Sequence, residues 1–262
     1  MKDYCIIFSI DDNKKSEYGF SEMGALLSYS LKMTIPHVDV YCGLFTNNIL
    51  PVNILNILKA NNVNIIKDNI FNTYDVSYFL RNYTMYYFSH IYNLLNEYKT
   101  LIYIDVDCIV LNDFLSEIND EILIEEVPES IKTHIEINYN DLDISKKLYF
   151  NWMQYITNTN KYLYDMDYTN IQDEKQSDIM ISDRIEKSNL IKKRHKTTSY
   201  YPVRKLSKNT TVFHYDGFID SGSFFKLKDI DEKLYNKYLL IIEKILKIKL
   251  HNDEEYWNEF TF

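Results

Sequence analysis

Along the first half of the chain, short apolar runs alternate with segments whose apolar residues recur at helical spacing. Residues 5–10 (CIIFSI) read as a strand that ends at Asp11 and Asp12. A helix is predicted over 21–33, with Ser21 placed to cap it, Met23, Leu26, Leu27 and Leu31 on its apolar side, and Pro36 to stop it. A strand at 38–45, a helix from 50 to about 61 and a strand at 63–66 follow. A Tyr- and Phe-rich stretch reads as helical over 74–98. The next run, LIYIDVDCIVLNDF at 101–114, is almost continuously apolar apart from its acids, which is the pattern of a strand covered on both faces. Alternation of this kind implies βαβ units and an α/β fold with a mostly parallel sheet, right-handed crossovers and helices on its faces. Ligands of such sheets bind beyond the carboxyl ends of the strands.

The second half is less regular. Residues 119–145 are acidic and loop-like, with a short strand at 122–124. Residues 149–156 are an aromatic helix or strand, and 158–175 are polar and turn-rich. A helix is predicted at 179–191, and a short strand at 211–214 runs into the turn Tyr215-Asp216-Gly217. A last helix at about 231–249 places Tyr238, Leu239, Ile242, Ile245 and Leu246 on one face, with a Lys-rich face in solvent. The 262 residues suit one domain, divided near residue 114 into a regular half and a looser one.

Asp105 and Asp107 interrupt the most apolar run of the chain. Carboxylates in such a strand are costly to bury unless something pairs with them. On an extended chain two residues apart they point to one side, where together they could hold a hard divalent cation and, through it, a diphosphate.

Charge and cysteine content narrow the setting. A formal net charge of -9 argues against a nucleic-acid binder. Cys5, Cys42 and Cys108 each fall in a predicted strand, and an odd count without C-x-x-C spacing points to buried, reduced thiols. The opening MKDYCIIFSIDD turns polar too soon for a signal peptide, and no apolar run reaches the length of a membrane span. The expected location is the cytoplasm, or a host cytoplasm if the Ile-, Asn-, Lys- and Tyr-rich composition reflects a viral genome.

With those residues in view, LLNEYKTLIYIDVDCIVLNDF at 94–114 resembles the D-x-D segment of GT-A-fold glycosyltransferases, closest to glycosyltransferase family 8. IIFSIDD and the helix MGALLSYSLK at 23–32 resemble that family's nucleotide-binding first strand and following helix. VFHYDG at 212–217 resembles its H-x-x-G segment, although Asp220 stands where the family carries a Lys; either Lys226 or Lys228 substitutes for it, or nothing does. A competing alignment matches 219–224 to the family's asparagine-small-glycine strand, with Asp253-Glu254 as the later acidic element. The resemblance implies a GT-A-like mixed sheet and transfer of a sugar from a nucleotide-diphosphate sugar, UDP-linked, with retention. It implies Asp105, Asp107 and His214 as metal ligands, and Ile10, Asp11, Tyr18, Asp105 and Gly217 at the donor. Asp178, the one matching acid of the family's aspartate-rich element, is implied at the transferred sugar.

Two carboxylates and an imidazole suit Mn²⁺ better than Ca²⁺, with Mg²⁺ also accepted. The acceptor, whether glycan, protein or lipid, is not specified by these residues, and the loop-rich segment 119–201 is expected to shape its site. Two other functions fit a D-x-D after an apolar strand. One is a haloacid-dehalogenase-type phosphatase with a nucleophilic Asp; the other is a sugar- or nucleotide-binding module without catalysis.

Overall fold

The first half runs, in chain order, β1 (Lys2–Ile10), α1 (Phe20–Thr34), β2 (Asp39–Leu44), α2 (Val52–Ala60), β3 (Val63–Lys67), β4 (Tyr98–Ile104) and β5 (Cys108–Val110). The second half runs β6 (Ile122–Ile124), β7 (Met153–Thr157), α3 (Glu174–Lys187), β8 (Lys192–Arg194), β9 (Ser199–Tyr200), β10 (Val212–His214) and α4 (Glu232–Ile241). The structure is a computed structural model. It describes residues 1–10, 20–44, 50–67, 92–118, 122–124, 153–163, 174–190, 192–194, 199–200, 206–215 and 223–243.

The central sheet has the order β3-β2-β1-β4-β7. The first four strands are parallel, and β7 closes one side antiparallel to β4. In β1, Cys5 and Ile7 enter one hydrophobic layer, while Ile6, Phe8 and Ile10 enter the other. β4 divides likewise, with Leu101 and Tyr103 in the first layer and Ile102 and Ile104 in the second. Both strands thus bury both faces, which is what their continuous apolar runs encode. Each such Leu or Ile side chain contributes about 1.5–3 kcal/mol on burial. One layer is roofed by α3 through Ile181 and Ile185. The other is roofed by α1, α2 and α4 and also takes in β5 and β10.

Several sequence expectations change in three dimensions. The strand expected over 101–114 is two strands: β4 ends at Ile104, residues 105–107 turn, and β5 begins in a different sheet. Continuing the pleat would carry two carboxylates into dry layers, a cost the turn avoids by placing them at the end of the sheet. Asp105 and Asp107 therefore do not project side by side from one extended strand. Tyr98 opens β4 instead of ending a helix, and a 3-10 turn, Tyr92–Asn96, precedes it; the rest of that predicted helix lies outside the described residues. Ser21 is buried inside α1 and does not cap it. The ambiguous 149–156 segment provides strand β7. The helix expected at 179–191 starts earlier, at Glu174, and gives way to β8. α4 is capped by Asp231, whose Oδ1 accepts from the Leu234 amide at 2.9 Å. All three cysteines are buried free thiols.

Candidate functional site

At the carboxyl end of β4 the chain leaves the central sheet and joins a three-stranded one of order β5-β10-β9. β5 pairs antiparallel with β10, placing His214 opposite Cys108 and Val212 opposite Val110. The ladder continues one step past the strand, where the Tyr215 amide donates to the Asp107 carbonyl at 3.0 Å. At its other end the Leu111 amide donates to the Thr211 carbonyl at 2.7 Å. The short apolar sequences CIV and VFH make this pairing by burying all six side chains. Ser30 of α1 accepts from the Val110 amide at 3.0 Å and ties β5 to the helix that follows β1.

This register brings His214 Nε2 to 3.0 Å from Asp107 Oδ1. His214 is buried and Asp107 half-buried, so the pair opens outward on the Asp107 side. Among the described residues, the ligand atoms of Asp107, Cys108 and His214 form a group within 4.8 Å of one another. Asp105 stands outside that group, at the mouth of β4, where its Oδ1 accepts from the Tyr103 hydroxyl. Burial pushes the Cys108 thiol well above its usual pKa, and the charges of Asp107 and Asp105 push the same way. The Tyr215 hydroxyl is raised by burial and by Asp107. Behind the pair, Tyr215 meets Phe213 and Phe224, with ring centroids 6.1 and 5.8 Å apart, and Phe224 meets Tyr235 of α4 at 5.7 Å. The C-terminal helix thereby backs the strand that carries His214.

The remaining sequence candidates distribute as follows. Ile10 ends β1, the parallel neighbour of β4, and is fully buried. Asp11, Tyr18 and Gly217 lie outside the described residues, as do Asp220 to Gly222 of the competing alignment. Asp178 falls on α3, and its side chain also lies outside them. Lys226 and Lys228 sit in a 3-10 segment, Ser223–Asp229, where Lys226 Nζ is 4.0 Å from Asp229. Sequence alone does not single out two neighbours of these acids: Cys108 reads only as a buried thiol, and Tyr103 only as part of a strand. The signal for Cys108 is its position directly after Asp107.

A hard divalent cation fits these donors. Asp107 provides carboxylate oxygen and His214 imidazole nitrogen, already adjacent at 3.0 Å, while Asp105 lies two residues before Asp107 in the chain and outside this group.

No protein-family model matches the chain, and no curated protein matches it in sequence. Solved structures do match in shape. The galactosyltransferase LgtC in complex with donor and acceptor sugar analogs is 14% identical, with a TM-score of 0.51, covering 97% of this chain and 99% of that one. An active-site mutant of LgtC gives a TM-score of 0.52 at the same identity, over 97% of this chain and 98% of that one. The glycosyltransferase GlyE of Streptococcus pneumoniae TIGR4 is 10% identical, with a TM-score of 0.50, over 99% of this chain and 64% of that one. At these identities the likeness is one of architecture: a mixed, mostly parallel sheet between helices, and this chain has the GT-A fold of those glycosyltransferases.

Proposed function

We propose that this chain is a glycosyltransferase that moves a sugar from a nucleotide-diphosphate sugar, UDP-linked, to a glycan, protein or lipid acceptor. In this reading the reaction retains anomeric configuration and depends on Mn²⁺ or Mg²⁺. One observation carries it: Asp107 and His214 meet at 3.0 Å at the carboxyl end of a parallel sheet, in a fold shared with glycosyltransferases. A divalent cation bound there supplies Lewis-acid stabilisation for the charge that develops on a departing diphosphate. Asp107 and His214, adjacent at 3.0 Å, would hold it, with Asp105 as the second carboxylate. Tyr103 orients Asp105 by donating its hydroxyl proton into a hydrogen bond. Ile10 supplies the buried floor at the end of β1, and Asp11, Tyr18 and Gly217 contribute to the donor's nucleotide and phosphates. Asp178 contacts the transferred sugar, and 119–201 shapes the acceptor side.

The test is thermal melting with a panel of free nucleotides and nucleotide sugars, with and without Mn²⁺, on the wild type and Asp107→Ala. A ligand at a hundred times its Kd stabilises the folded state by about 2.7 kcal/mol. The expected result is a shift with uridine nucleotides that requires Mn²⁺ and disappears in Asp107→Ala. No shift with any nucleotide overturns the reading.

A further inference from the structure

Cys108 adds a sulfur donor to a site whose other ligands are oxygen and nitrogen. It lies on the face that His214 also uses, because the two residues are directly opposed across an antiparallel ladder. Its Sγ, an Asp107 carboxylate oxygen and a His214 ring nitrogen all fall within 4.8 Å of one another. A tetrahedral zinc ion with bonds of about 2.0–2.3 Å requires ligand atoms roughly 3.3–3.8 Å apart, so small side-chain movements close the set. One carboxylate, one thiolate and one imidazole are all zinc ligands, and sulfur discriminates strongly against Mg²⁺ and Mn²⁺.

From this geometry we infer that Asp107, Cys108 and His214 form a second binding mode of the same centre, selective for a thiophilic divalent cation of the Zn²⁺ class. Binding exchanges the Cys108 S–H bond for an S–metal bond and releases one proton per ion; because Cys108 is fully buried, the ion has to enter from the Asp107 side. Zn²⁺ held in this way competes with a harder ion for Asp107 and His214. The inference goes beyond sugar transfer and does not require it, since only the three donors enter. Cys5 and Cys42 cannot imitate it: among the described residues, neither belongs to a group of three such donors.

Co²⁺ is the probe, because a cobalt–thiolate bond absorbs in the near ultraviolet and cobalt bound to oxygen and nitrogen does not. The wild-type protein is expected to develop this charge-transfer band at one Co²⁺ per chain, to lose it on adding Zn²⁺, and to keep it in excess Mg²⁺. Cys108→Ser, which preserves shape without the thiolate, is expected to lack the band and to bind Zn²⁺ at least about tenfold more weakly. Cys108→Ala serves the same purpose if the serine variant does not melt cooperatively. Absence of the band in the wild type overturns the inference, as does a band that survives in either folded variant. Nucleotide-dependent melting on the same wild-type sample keeps the two proposals apart. A cobalt band without a nucleotide shift removes the transferase reading alone, and a nucleotide shift without a band removes the zinc mode alone.

Discussion

At the scale of single residues, the site depends on pairs that lie far apart in sequence. Asp107 and His214 meet only through the β5–β10 register. His214→Ala is expected to leave Asp107 without its nitrogen partner and, under the proposed function, to lower transfer by about a hundredfold or more. Its loss of Mn²⁺-dependent nucleotide stabilisation in melting provides the check. Tyr103 acts through Asp105, so Tyr103→Phe removes a positioning hydrogen bond while keeping the ring in its layer. The expected outcome is a stability loss of about 1 kcal/mol. Raised donor KM with a smaller change in kcat would mark positioning as its role. Asp105 and Asp107 were legible from sequence because acids in an apolar run demand an explanation. Cys108 and Tyr103 were not, because Cys and Tyr are ordinary strand residues.

At the scale of elements, α1 lies unusually close to β1. A Cβ on Gly24 would stand 2.7 Å from Ile10 Cδ1, 2.8 Å from its Cγ1 and 3.2 Å from Phe8. Ile10 is fully buried, so it has little room to yield. Gly24→Ala is expected to cost about 1–3 kcal/mol in chemical denaturation and to displace the end of β1. Because Ile10 ends the strand beside β4, the same variant is expected to weaken nucleotide binding in isothermal titration. Sequence reading located α1 and β1 within a few residues, but helical periodicity does not report how near a helix lies to a strand. It also made β4 and β5 one strand, since both are apolar and only the pairing partners separate them.

At the scale of the whole molecule, the amino ends of the three inner strands β1, β2 and β4, opposite the site, are held by polar groups. Asp39 of β2 accepts from Tyr98 of β4 at 2.6 Å and pairs with Lys2 of β1. The Lys2 hydrogen bond first, and the Tyr98 hydrogen bond second, hold the Asp39 carboxyl below its ordinary pKa. A carboxyl depressed in the folded state adds stability above its unfolded pKa and loses it as pH falls through the folded value. Asp39→Asn is therefore expected to lower Tm at neutral pH and to make Tm fall less steeply below about pH 4. A melting series across acid pH reads both effects, and identical slopes in the two proteins would exclude the linkage. No helix among the described residues is long and apolar enough to cross a membrane.

The amino-acid pattern alone was enough for the βαβ alternation, the doubly buried strands, the reduced cysteines and the acids at 105 and 107. All of these follow from local periodicity and from the cost of burying charge. Folding in three dimensions settled the break after Ile104, the change of sheet at β5, and the meeting of Asp107 and Cys108 with His214. These features arise from pairing between segments about a hundred residues apart. Such pairing is chosen by the joint fit of side-chain layers, which neither segment carries in its own sequence.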